Sequence, residues 1–204
     1  MNYRLAYAIG FHPWEDLADH QPFAETLMEL VAREENGHGP PYGSALDLGT
    51  GSGVWGVQLA KRGWQVTGVD VVDRALRRAR ERVDEAGVDM RLVQGDVTAL
   101  RRANVGSGFR LVVDTGTFHG LSDSQREEMG REVSAVCAHD ATILVDCFAP
   151  RRRGPLPRGA SRSDVERAFP GWEITDGVVA DTAPDPIARI FRFEESFYRL
   201  RRTT

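Results

Sequence analysis

Lysine is almost missing from this chain of 204 residues: of 26 basic side chains all but one, Lys61, are arginine. That bias removes nearly all lysine chemistry, Schiff bases and lysine general bases included. Cysteine is scarce too, with only Cys137 and Cys147, so there is neither a disulfide framework nor a zinc-ligand spacing. A reducing compartment is expected, and no metal site. No run approaches the ~18 apolar residues of a membrane span. The opening decapeptide holds Asn2, Tyr3 and Arg4 and does not read as a secretory leader, so a cytoplasmic protein is expected. Excess positive charge is lacking as well. At a net charge of -4 no global field favours nucleic acid or an acidic membrane, and neither is expected as a partner. What remains, 41% apolar and 27% charged residues, is the composition of one globular domain with a core.

Along the chain, apolar positions Leu17, Phe23, Leu27, Leu30 and Val31 are spaced for a helix between 15 and 35. A loop rich in Gly and Pro follows over 36–43. Strands are predicted at 45–48, 64–70, 90–93, 109–114 and 141–146, with helices at 53–62, 73–86 and 122–138 between them. Ser122 and Gln125 have the spacing of a capping box. Such alternation with short links implies parallel pairing in a three-layer α/β sandwich. The segments 111–113 and 143–145 are continuously apolar, as strands covered on both faces are. Beyond the arginine-rich loop 151–158, a short helix at 163–169 leads to two strands at 172–179 and 187–198. With no helix between them these should pair antiparallel.

Gly49-Thr50-Gly51-Ser52-Gly53 joins the first strand to the second helix. Glycines there allow a tight turn and close approach of a ligand to the backbone, at the carboxyl edge where open α/β sheets bind ligands. The run Gly51 to Gly56 also satisfies the dinucleotide pattern G-x-G-x-x-G, and Asp70 lies where a ribose-binding acid would stand. Three observations oppose a dehydrogenase. Asp47 aims a carboxylate at the pocket, better suited to a ligand with a positive amino group than to a pyrophosphate. The chain leaves little room for a substrate domain. The Tyr-x-x-x-Lys pair of single-domain dehydrogenases is missing, because Lys61 follows Val57 by four.

Taken in order, these residues resemble the class I S-adenosylmethionine-dependent methyltransferase family over about residues 43–200. Ala45 to Gly53 is similar to the family's first motif, Gly68-Val69-Asp70 to its second, Gln94-Gly95-Asp96-Val97 to its third and Phe109 to Asp114 to its fourth. The terminal antiparallel pair resembles the family's inserted last strand. The resemblance implies a Rossmann-like, seven-stranded, mostly parallel sheet with an antiparallel last strand. It implies S-adenosyl-L-methionine as cofactor, held by Asp47, Gly49, Thr50, Gly51 and Gly53. Asp70 and Val71 would meet the ribose, Asp96 and Val97 the adenine, and Asp114 the methionine end. An N-terminal helical segment over 1–42 would act as a lid on a methyltransferase domain over 43–204. Trp14, or His12, would then cover the sulfonium, with Tyr3 and Tyr7 as weaker candidates.

The methyl-facing segment, Asp114-Thr-Gly-Thr-Phe-His-Gly-Leu121, lacks the Asn/Asp-Pro-Pro-aromatic motif of nucleic-acid amino-methyltransferases. It is more similar to the thiopurine and tellurite-resistance branch, which acts on small molecules. His119 is thereby the candidate catalytic residue, contacting the acceptor and serving as base if one is needed. Asp114 reads as a loop-shaping residue. Arg151 to Arg153 and Arg158 read as a solvated loop that could also draw an anionic acceptor, and Cys147 reads as a buried thiol. The family's Pro-Gly-Gly turn before the fifth strand is replaced by Ala138-His-Asp-Ala141. The expected function is methyl transfer to O, N or S of a small molecule by a monomer or homodimer. The alternatives are a non-catalytic cofactor-binding module, favoured if Phe118, His119 and Leu121 fill the methyl-facing pocket, and a nucleic-acid methyltransferase.

Overall fold

A computed structural model describes residues 21–37, 39–150, 158–180 and 195–203. The elements are α1 (Gln21–Glu35), β1 (Ser44–Leu48), α2 (Val54–Arg62), β2 (Gln65–Asp70), α3 (Asp73–Ala86), β3 (Met90–Gln94), β4 (Phe109–Thr115), α4 (Asp123–Val136), β5 (Cys137–Phe148), α5 (Arg162–Ala168), β6 (Trp172–Ala180) and β7 (Glu195–Arg202). Short 3-10 turns at Val97–Ala99 and Phe118–Gly120 follow β3 and β4.

The strands form one seven-stranded sheet in the order β3-β2-β1-β4-β5-β7-β6. The first five are parallel, and β7 lies antiparallel between β5 and β6. This is the expected Rossmann-like sandwich. Side chains alternate across the sheet. Ala45, Val66, Leu111, Val113 and Leu144 face a core built with Phe23, Leu27, Leu30 and Val31 of α1 and with Trp55, Val57 and Leu59 of α2. Leu46, Leu48, Val112, Ile143 and Val145 face the opposite core, filled by Met129 and Val133 of α4 and by Val165 and Phe169 at α5. Residues 111–113 and 143–145 are all buried, which explains their unbroken apolar run.

Two boundaries differ from expectation. Helix α4 ends at Val136 and β5 starts at once at Cys137, so Ala138-His-Asp-Ala141 is strand, not turn. Its pairing with β4 shifts register between Phe109 and Leu111, and that irregularity absorbs the extra length. The other concerns α1, which is a layer of the sandwich rather than a cover. Glu34 accepts from Thr142 and Arg199, and Glu35 accepts from Trp64 and Arg62, which fixes the carboxyl end of the helix low on the sheet. Phe23, at its other end, packs on Trp55 and Phe197. The lid expected of Trp14, His12, Tyr3 and Tyr7 lies outside the described residues, as do Arg151 to Arg153 and residues 187–194 of the last predicted strand.

Candidate active site

Asp47, Asp70, Asp114 and Asp146 stand at or within two residues of the carboxyl ends of β1, β2, β4 and β5, and the antiparallel β7 brings Glu195 to the same edge. All five acids are at least nine-tenths buried. The loop after β1 is the hub. Gly49, Gly51 and Gly53 take left-handed φ values of 64°, 55° and 78°. A Cβ on Gly49 would stand 1.9 Å from Thr117 Oγ1, so the loop after β4 closes on bare backbone.

Asp47 is 1% exposed. Its Oδ2 accepts from Thr50 Oγ1 at 2.6 Å, whereas Oδ1 is buried with no hydrogen-bond partner. Burial pushes its carboxyl up to about 6, against the Thr50 bond and the nearby Gly56 N–H, with Asp70 adding repulsion. An orphaned acceptor in such a place is costly unless a ligand satisfies it. Ser52 Oγ, which sequence reasoning passed over, is a second orphan in the same loop.

Asp70 ties β2 to the glycine loop. Its Oδ2 accepts from Gly51 N at 2.9 Å and its Oδ1 from Val72 N at 2.7 Å. Burial raises its pKa despite these bonds. Each oxygen keeps a second lone pair. Beside it, Val71 is 40% exposed, the one large apolar side chain left open among the described residues. Across the edge Asp96 caps the 3-10 turn, its Oδ1 accepting from Thr98 N at 2.9 Å and Thr98 Oγ1 at 2.8 Å. It therefore has the turn role that a lone aspartate usually has, and Val97 is buried in the core.

Asp114 shapes the loop after β4, as expected. Oδ1 accepts from Gly116 N at 3.0 Å and Thr117 N at 2.7 Å, and Oδ2 from Phe118 N at 2.9 Å. Burial pushes its carboxyl up to about 7, the three N–H groups oppose this, and Asp47 adds to it. Phe118 turns away from the crevice into the core, 5.9 Å from the Phe169 ring. His119 is 3% exposed and stacks on Phe148 with ring centres 4.4 Å apart. Its Nδ1 accepts from Phe148 N at 3.3 Å. The neutral ring then carries its proton on Nε2, and the lone pair a base would use is already engaged.

Sequence reasoning missed Arg126, which is 3% exposed although it lies on a helix of polar composition. It donates to Phe118 O, His119 O and Gly159 O at 3.1, 3.1 and 2.6 Å, and its guanidinium lies over the Phe118 ring. It clamps the loop after β4 to the segment that leads into α5. Arg158 pairs with Asp123 and so is directed to the start of α4, not to the crevice. Cys147 is buried, and burial pushes its thiol well up, as it does the Cys137 thiol, to about 12. Neither has the depressed pKa of a reactive cysteine.

The crevice thus offers a glycine cradle, orphaned acceptors and several uncompensated carboxylates. It suits a cationic ligand bearing an amino group and hydroxyls, and it does not suit a pyrophosphate.

Comparison with known proteins agrees. Residues 45–140 match a family model described as a methyltransferase domain. The chain is 37% identical over 94 residues to the ribosomal RNA small subunit methyltransferase C of Alcanivorax borkumensis, covering 46% of this chain and 27% of that protein. It is 34% identical over 103 residues to human EEF1A lysine methyltransferase 2, covering 49% of this chain and 43% of the relative. The chain therefore spans less than half the length of these two relatives. Among solved structures, the 1,6-didemethyltoxoflavin-N1-methyltransferase of Burkholderia thailandensis superposes with a TM-score of 0.75 at 19% identity, over 100% of this chain and 86% of that one. By this match residues 45–140 form a methyltransferase domain, and the whole sheet has the fold of the solved methyltransferase structure.

Proposed function

We propose that this protein transfers a methyl group from S-adenosylmethionine to a nucleophilic atom of a small molecule. One observation carries the reading: Asp47 Oδ1 is buried and unpartnered beside the left-handed glycine loop after β1. In this reading Asp47 receives the amino group of the cofactor, and Gly49, Thr50, Gly51 and Gly53 line its methionine end. Asp70 receives the ribose hydroxyls, Val71 packs on the adenine, and Asp96 and Val97 bound the adenine pocket. When bound, the cofactor supplies an activated methyl group. The protein's task is then to align the acceptor and keep water out.

Asp114 fixes the segment beside the reacting centre, and His119 bounds the acceptor side. Because its Nδ1 already accepts from Phe148, we assign His119 an orienting role rather than that of a base. The small-molecule reading rests on the net charge of -4 and on the segment 114–121, which lacks the Pro-Pro motif. The N1-methyltransferase neighbour is in keeping with it. The relatives that act on ribosomal RNA and on a protein lysine match over about half of this chain. The burial of Phe118 in the core speaks against a methyl-facing pocket plugged by its own loop.

The test is calorimetric titration with S-adenosylhomocysteine and, in parallel, NADH, followed by a labelled-methyl screen of small molecules, ribosomal RNA and protein. Micromolar binding of the first nucleoside alone and label in small molecules are expected. Binding of NADH alone overturns the reading, and label confined to RNA or protein overturns the acceptor class.

A further inference from the structure

Two of the five buried acids, Asp146 and Glu195, have no part in holding the cofactor. Asp146 ends the apolar run Ile143-Leu-Val and is 2% exposed; Glu195 opens β7 and is 4% exposed. In the antiparallel β5–β7 pairing Asp146 stands opposite Phe197, and Phe148 opposite Glu195. Residues opposite one another and residues two apart share a face, so Asp146 and Glu195 lie diagonally on one face of the sheet. It is the face of Phe23 and Phe197, toward α1. On the other flank Asp146 is level with Thr115, one step beyond Asp114 and beside the segment that faces the reacting methyl.

Among the described residues no salt bridge joins the pair to a cation. Burial first, then Glu195 and Asp114, raise the pKa of Asp146 well above the usual carboxylate range, with the Cys147 N–H opposing. Burial pushes Glu195 up to about 7. Asp146 Oδ1 is a buried acceptor with no partner. Among the described residues no group of three or more His, Cys, Asp or Glu could hold a metal ion, and a buried carboxylate oxygen without a partner suits a donor such as an ammonium group.

We infer that Asp146 and Glu195 form the acceptor subsite and take the ammonium group of an amine, the nitrogen of which receives the methyl. This rests on the methyltransferase reading and narrows it from O, N or S to N. The chemistry balances. One ammonium proton passes to a carboxylate of the pair, leaving a neutral amine. The amine lone pair forms the new N–C bond while the S–C bonding pair stays on sulfur, and the product leaves as a methylated ammonium ion. Buried carboxyls whose affinity for a proton is raised are suited to exchange one with an amine.

The test uses full-length protein with 13C-labelled carboxyl groups, assigned through Asp146→Asn and Glu195→Gln, and methylammonium chloride as probe against sodium chloride at equal ionic strength. Methylammonium should lower the Asp146 and Glu195 midpoints by about one pH unit, as an opposite charge does on contact, and leave Asp70 unmoved. Equal midpoints in the two salts, or a shift shared by Asp70, overturn the subsite. Homocysteine-nucleoside binding, measured separately, reports on the cofactor reading and does not depend on this pair. In the labelled-methyl screen, acceptors should be amines, and Asp146→Asn should raise their KM at least tenfold while cofactor affinity holds. A neutral acceptor turned over equally by wild type and Asp146→Asn also overturns the proposal.

Discussion

Asp47 gives a prediction with two linked readouts. Its carboxyl stands at about 6 because burial opposes the charge. At pH 5 about a tenth of the molecules carry the charge, and at pH 7 about nine-tenths do. If the ionised form receives the amino group of the cofactor, S-adenosylhomocysteine should bind up to about tenfold more tightly at pH 7 than at pH 5. The ligand's own amino group stays protonated across that window. In Asp47→Asn the affinity at pH 7 should drop by about 1.5–3 kcal/mol, the worth of a hydrogen bond to a charged group. That part of the pH dependence should vanish.

Stability must move the other way. The folded pKa of Asp47 lies above its unfolded value, so the folded state holds the proton more tightly. Its contribution is fully present below about pH 4 and is lost as pH rises through about 6. Two units and a little more, at 1.36 kcal/mol each, give about 3 kcal/mol. Urea melts of the free protein should show this fall between pH 4 and 6, and Asp47→Asn should flatten it. Calorimetry at four pH values checks the first half, and the melts check the second. An Asp47→Asn protein that keeps both pH profiles would refute the assignment.

Asp70→Ala should weaken binding of the same nucleoside by about 1–3 kcal/mol; unchanged affinity in the calorimeter removes Asp70 from the site. Gly49→Ala should cost about 2 kcal/mol or more in thermal or urea melts and abolish binding. It combines a left-handed φ with a Cβ driven into Thr117. Arg126→Met should destabilise by about 3 kcal/mol, since three buried carbonyls lose their donor, and Arg126→Lys should recover only part of that. Melts unchanged by Arg126→Met would show the clamp to be idle. His119→Ala should leave nucleoside binding near normal and lower turnover of whichever acceptor the screen finds; full turnover would make the ring purely structural.

What the sequence disclosed follows from the range of the forces involved. The sheet was legible because its strands are local apolar runs, and the glycine loop because left-handed backbone selects glycine within a few residues. Ser122 and Gln125 announced their capping box for the same reason, and the box is formed. Asp114 could be read as a loop organiser because its three partners lie within four residues of it. Arg126 was invisible because its acceptors come from two separate loops, and nothing in a polar helix marks the one arginine that points inward. Asp146 and Glu195 are the sharper case. Asp146 repeats a visible pattern, an acid closing an apolar strand, as at Asp47 and Asp114, and that repetition was the available signal. Its meeting with Glu195 depends on the antiparallel register of β5 and β7. A slip of one residue in that pairing would send Glu195 to the opposite face. Register is set by the two strands together, so the acceptor end of the crevice becomes readable only once the sheet has closed.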